Sequence, residues 1–254
     1  MKEKLYTIPL NDAMNENDEC PFCFLERKLL QKTIDFVLGS SSSYMESDIR
    51  EKTDEAGFCR LHTKMMFDYG NALGNALILQ THLKKVRKEL HDQLAGYSPA
   101  GKGGFFKRIT SKKSDETNTI RAWADGRESS CYICERMKDE FVCYISTFFF
   151  MYKKDEAFRE KVKNCKGFCI PHFGELMEEA EKELSGDQLQ EFASLMSSVM
   201  EDNFNRIQEE IDWFVDKFDY RNKDADWKNS RDALQRTMQK LHSGYPADPV
   251  YRNQ

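Results

Sequence analysis

Cysteine and histidine recur in one order at two places in the chain: Cys20, Cys23, Cys59 and His62, then Cys131, Cys134, Cys169 and His172. Thiolate and imidazole are the donors zinc prefers, and three sulfurs with one nitrogen are a standard ligand set for a structural zinc ion. Residues three apart share one face of a helix, or its first turn, so each Cys-x2-Cys or Cys-x2-His pair can grip an ion from one side. Free N–H groups and the dipole at a helix start also favour thiolate. Four protein ligands close the coordination sphere, which argues for a structural role over hydrolysis.

Iron–sulfur ligation is the alternative, because such clusters are held mainly by cysteine and sometimes by histidine. Packing of small buried cysteines would explain burial but not the doubled Cys-x2-His. A thioredoxin-type redox pair lacks its βαβ surroundings. Two further cysteines, Cys143 and Cys165, have no counterpart in the first set and are candidates for an auxiliary or redox role. Cys165 lies four residues before Cys169, near enough to replace a ligand or form a switch disulfide.

These landmarks belong to an internal repeat. "ECPFC" (19–23) aligns with "SCYIC" (130–134), "IREK" (49–52) with "FREK" (158–161), and "GFCRLH" (57–62) with "GFCIPH" (167–172). Cys23 to Cys59 is 36 positions and Cys134 to Cys169 is 35. Sequence alone leaves the ligand pairing open. Pairing within each repeat is the simpler expectation, since a duplicated unit should have worked before duplication; the alternative joins Cys20 and Cys23 to Cys169 and His172.

The elements that must position these residues read as helices. Pro21 suits the first turn of a helix, and Leu25, Leu29, Leu30 and Val37 follow at helical spacing until "LGSSSS" breaks the pattern. Met137, Phe141, Ile145, Phe148 and Tyr152 form a second stripe, widened by Val142, Phe149 and Phe150 into a helix expected to be buried on most sides. Leucines from Leu73 to Leu94 mark a third. Apolar residues from Leu189 to Phe218 mark a fourth of about 30 residues, about 45 Å long. A last helix is expected to start at Asn229 or Ser230, both good caps, and to include Ala233, Leu234, Met238 and Leu241. No period-two strand pattern appears. The expected fold is all-α, with two duplicated helical metal-site units and a long carboxy-terminal helix packed as one assembly. The repeats divide it into 1–95, a Gly-, Ser- and Lys-rich linker at 96–118, and 119–254.

At 254 residues, with 40% hydrophobic and 32% charged residues, the composition is that of an ordinary soluble globular protein. A net charge of −5 gives no argument for nucleic acid binding. The absence of a signal peptide or an 18-residue apolar run makes cytoplasm the expected location. Other motifs fail on detail. "GKGGFFKR" lacks P-loop spacing, "GSSSSY" is not a nucleophile elbow, and no histidine follows a glutamate at the Glu-x2-His spacing of a di-iron site. The bases Lys102, Lys107, Arg108, Lys112 and Lys113 read as a solvated linker, and His82, His91 and His242 as ordinary helix residues. Trp227 reads as a packing anchor, with Arg221 and Arg231 pairing acids such as Asp226.

The chain resembles an uncharacterised bacterial family, domain of unknown function 6062, through "YTIPLNDA", "CPFCFLERK", "GFCRLH", "CYICERM", "GFCIPHFGEL" and "FDYRNKDADWKNSRDAL". The resemblance implies a bacterial setting and carries no activity with it. The functional expectation is therefore a non-enzymatic, metal-stabilised helical protein that binds an unknown protein or small molecule. A thiol-based redox or metal sensor is the second reading. An enzyme or cofactor carrier with its pocket between the repeats is the third.

Overall fold

The computed structural model describes residues 5–40, 43–97 and 119–246. The described residues are helical, with no strand among them. Among the described residues eleven α-helices follow one another: α1 (Thr7–Asn15), α2 (Pro21–Leu38), α3 (Ser47–Ala56), α4 (Arg60–Tyr69), α5 (Ala72–Gly96), α6 (Thr119–Ser129), α7 (Tyr132–Lys154), α8 (Glu156–Asn164), α9 (Ile170–Glu183), α10 (Asp187–Asp216) and α11 (Ala233–His242). The repeat is visible as helix order: α2–α5 correspond to α7–α10. "IREK" and "FREK" sit at matching places in α3 and α8, where Ile49 and Phe158 are both buried. The linker's basic residues fall outside the described residues.

The chain forms two compact units that cut across the repeats. One comprises Met1–Gln31 with Met137–Pro249, and the other Lys32–Arg136. Their boundaries fall inside α2 and inside α7. The division at 95 and 119 follows the duplication, whereas these units follow the contacts.

The first unit is built on aromatic rings. Phe22, the second residue of α2, is fully buried, with the rings of Phe141, Phe148 and Phe168 between 5.4 and 5.7 Å away in edge-on contact. Phe192 on α10 closes on Phe148, Phe149 and Tyr152. Such edge-on pairs add to the burial of large apolar area. The α7 stripe is thus core, although Val142 faces solvent instead of widening it. At the end of α10 the buried Lys217 amine donates to the carbonyls of Asn222, Lys223 and Ala225, folding the chain back towards α11. Trp227 packs against Phe214 and Phe218, as expected of an anchor. Arg221 pairs Asp219 rather than Asp226. The last helix starts at Ala233, because the Ser230 hydroxyl turns back to the Trp227 carbonyl instead of capping it.

In the second unit, α3 lies on α5. His82 Nδ1 sits 2.8 Å from the Asp54 carbonyl, and Thr81 donates to Asp54. Arg127 of α6 donates to the Glu55 carbonyl. The Tyr69 hydroxyl donates to Asp35 and the Asn71 amide to the Leu38 carbonyl, which tie the end of α4 to the end of α2.

Candidate metal centres

The eight repeat cysteines and histidines occupy equivalent positions at four helix starts. Cys59 and Cys169 are the cap residues of α4 and α9. Cys20 and Cys131 immediately precede α2 and α7, and their carbonyls accept the first helical bonds, from Phe24 and Glu135. The partner of each pair, Cys23, His62, Cys134 or His172, is then the third helical residue. A cap and a third residue face one another in the first turn, so each pair presents both donors beyond a helix's positive end.

Each Cys-x2-His turn is preceded by a glycine with positive φ, Gly57 at 64° and Gly167 at 75°. A side chain on Gly57 would come within 2.8 Å of the His82 ring, and one on Gly167 within 3.3 Å of Met200 Sδ. Both "GFC" phrases therefore need glycine for backbone direction and for space. The Gly57 carbonyl accepts the Tyr132 N–H at 2.9 Å, which fixes the start of α4 beside the start of α7. In the first unit the buried Lys240 amine donates to the Glu19 and Lys166 carbonyls. One lysine thereby joins the loop before Cys20 to the loop before Cys169.

The two quartets that result are crossed between repeats. Cys20 and Cys23 meet Cys169 and His172, while Cys59 and His62 meet Cys131 and Cys134; in each group the donor atoms lie within 4.8 Å of one another. This corrects the expectation of pairing within repeats. In the first quartet His172 Nδ1 is 3.5, 3.6 and 3.1 Å from the sulfurs of Cys20, Cys23 and Cys169, and Cys23 is 3.7 Å from Cys169. In the second, His62 Nδ1 is 3.3 Å from each of the three sulfurs, and Cys59 is 3.9 Å from Cys134. A tetrahedral ion with sulfur at about 2.3 Å and nitrogen at about 2.0–2.1 Å separates its sulfurs by about 3.8 Å and sulfur from nitrogen by about 3.6 Å. The donor geometry fits a single ion of that size in each group.

Burial and crowded sulfur set the electrostatics of the quartets. Burial pushes the Cys20 thiol well up, and neighbouring sulfurs push it further. Hydrogen bonds from Cys169 and Cys20 instead hold Cys23 far below the usual thiol range. Burial opposes charge on His172, yet Cys169 and Cys23 raise it to about 10. Cys134 is raised to about 12 by burial and by Cys131. Clustered thiolates repel, and a divalent cation removes that conflict while displacing their protons.

The centres differ in their surroundings. All four residues of the first quartet are buried, with Phe141 stacked on the His172 ring at 5.2 Å. Glu26 lies 3.8 Å from His172 Nε2 and accepts the Ser243 hydroxyl, which is also 3.6 Å from Cys23 Sγ. A carboxylate behind a ligating imidazole is a common outer-shell device. Glu26 was legible as an acid three residues after Cys23; Ser243 reaches the site only through the docking of α11. The second quartet is more open: Cys134 is exposed and Cys59 half-buried. Cys143 and Cys165 belong to neither quartet. Cys143 contacts the Asp139 carbonyl, and Cys165 accepts the Gly167 N–H.

The sequence profile of a family of unknown function, DUF6062, matches residues 1–248. The chain belongs to this family. This family identity is the one the sequence resemblance implied, and it supplies no activity. An uncharacterized 23.9 kDa protein encoded in the xynA 3'region of Caldicellulosiruptor sp. (strain Rt8B.4) is 20% identical over 208 residues, covering 82% of this chain and 86% of that protein. No solved structure matches the chain. No helix among the described residues is long and apolar enough to cross a membrane.

Proposed function

We propose that the protein is a non-enzymatic, cytoplasmic binding module whose fold is held by two zinc ions. Cys20, Cys23, Cys169 and His172 hold one ion, and Cys59, His62, Cys131 and Cys134 hold the other. The observation that carries this reading is the convergence of two helix starts on each quartet at tetrahedral spacing. Four protein ligands leave no open position for water or substrate, so the metal's work is to pin helix starts. Each site draws its ligands from segments far apart in sequence, so the ion closes a long loop as well as bonding its ligands. Iron–sulfur clusters are disfavoured because several bridged irons spread their ligands wider than one coordination sphere. Elemental analysis and a visible spectrum on protein purified without oxygen test the proposal. About two zinc ions per chain and a colourless solution are expected; stoichiometric iron with a visible absorption band overturns it.

The openness of the second quartet favours one further reading, a thiol switch. Cys59 and Cys134 are 3.9 Å apart, and both are reachable from solvent. A peroxide could take two electrons from these thiolates, forming one disulfide and two waters with two protons consumed, and the ion would leave. Peroxide should release one zinc per chain and remove two thiols, Cys59 and Cys134. Retention of both ions under that treatment excludes the switch.

A further inference from the structure

The "DADWKNSRDAL" phrase takes no part in either metal quartet, yet it walls an open pocket in the first unit. This pocket, of about 510 Å³, lies between the 228–236 segment, α10 and the loop before Cys169. Its volume is in the range of small-molecule sites. Five cationic side chains line it: Lys166, Arg206, Lys228, Arg231 and Arg236. Only two lining acids, Glu210 and Asp232, oppose them.

The charge balance beneath the pocket does not cancel this excess. Glu19, 1% exposed, lies behind the lining side chains and pairs with Arg206 at 2.5 Å, Arg236 at 3.2 Å, Lys166 at 3.6 Å and the buried Lys240 at 3.5 Å. Burial opposes charge on Glu19, but Arg206 and Lys240 outweigh it and keep its carboxyl below the usual range. The lining side chains with Glu19 and Lys240 behind them hold six cations and three anions, a net charge of +3 on a chain whose total is −5. The positive charge is therefore local, and it is fixed. Arg206 is held by Asn203, Glu210 and Glu19, and Arg236 by Glu210, Asp232 and the Asn229 carbonyl.

The rim supplies the freer groups. Among the described residues Arg231 makes no hydrogen bond or ion pair, and it is exposed. Lys228 has φ of 51°, a left-handed conformation uncommon for lysine, and its amine lies 4.5 Å over the Trp213 ring. The Asp226 carboxylate holds that backbone by accepting the Lys228 N–H. Backbone strain of this kind clusters at ligand sites.

We propose that this pocket binds a small phosphorylated anion. Two phosphomonoester groups carry about −3 to −4 at neutral pH, which matches the uncompensated charge, and guanidinium forks suit phosphate oxygens. Arg231 and Lys228 close on the ligand from the rim, while Arg206 and Arg236 supply the field from below. The inference rests on the binding-module reading for its purpose. Its measurement does not involve the metals, so anion affinity and zinc content stand or fall separately.

The test is calorimetric titration of the full chain as purified, at low ionic strength, with fructose bisphosphate, and in parallel with tricarballylate. One fructose bisphosphate per chain is expected, with affinity that falls as salt is added. Arg231→Glu and Lys228→Glu should each weaken binding at least tenfold with an unchanged melting temperature, since both side chains lie at the surface. Lys84→Glu, exposed on α5, should change affinity less than twofold. Tricarballylate should bind at least tenfold more weakly; binding as tight as the bisphosphate overturns the phosphate assignment. No binding of either probe, or full binding by both rim variants, overturns the pocket.

Discussion

Removing two cysteines at a time tests the crossed quartets directly. Cys20→Ala with Cys169→Ala takes two of the three sulfurs from one quartet, whereas Cys20→Ala with Cys59→Ala takes one from each. Dialysis against a chelator of moderate affinity should strip a site that has lost a thiolate and spare an intact one. The first pair should then retain one zinc per chain, and the second none. The stability effect follows from linkage. With free zinc a thousandfold above its dissociation constant, each occupied site adds about 4 kcal/mol to the folded state. A change of 1 kcal/mol moves the melting temperature of a chain this size by about 2–4 °C. Loss of one site should lower it by about 8–16 °C, and loss of both by about twice that, enough to unfold a protein of ordinary stability near room temperature. Within the first pair the second substitution should cost little, because the site has already gone; across sites the two costs should add. The assays are zinc content by mass spectrometry and thermal denaturation followed by circular dichroism. One zinc retained by Cys20→Ala with Cys59→Ala, and none by Cys20→Ala with Cys169→Ala, would restore pairing within repeats and refute the geometry.

Three smaller perturbations probe what surrounds the sites. Glu26→Ala removes the carboxylate 3.8 Å from His172 Nε2 and should weaken zinc at that quartet about 10-fold or more, measured by chelator competition, with the other quartet unchanged. Gly167→Ala forces a Cβ into a positive-φ position 3.3 Å from Met200 Sδ and should cost about 1–2 kcal/mol, read as a lower denaturant midpoint; an unchanged midpoint would show that the glycine is dispensable. Tyr69, raised from 10.0 to about 12 by burial and by its bond to Asp35, favours the protonated folded state. Its contribution is complete below pH 10 and is lost as pH rises towards 12, so Tyr69→Phe should flatten the alkaline fall in stability; an identical fall in the variant would count against it.

The residues of the quartets were legible because their chemistry is local. A Cys-x2-Cys or Cys-x2-His at a helix start needs only the cap and third positions, and glycine, proline and the stripes of α2, α7 and α10 mark where those helices begin. Features set by tertiary packing were not legible. Ser230 looked like a cap but is recruited by the Trp227 carbonyl, and Val142 continues the α7 pattern yet is exposed. The anion pocket was invisible for the same reason. Its charges come from positions 166, 206 and 228–236, and Glu19 gathers them only after α10 and α11 have docked.

The pairing is the instructive case. Between Cys20 and Cys59 stand the 18 residues of α2, about 27 Å of helix, and the 10 residues of α3, about 15 Å. Between Cys131 and Cys169 stand the 23 residues of α7, about 35 Å, and the 9 residues of α8, about 14 Å. In each repeat the second helix is too short to return the chain along the first, so helix lengths alone do not bring a Cys-x2-His turn back to its own Cys-x2-Cys. Each quartet instead takes its Cys-x2-Cys from one repeat and its Cys-x2-His from the other. The expectation that a duplicated unit should have worked alone therefore does not decide the pairing, because neither repeat in this chain holds a complete quartet of its own.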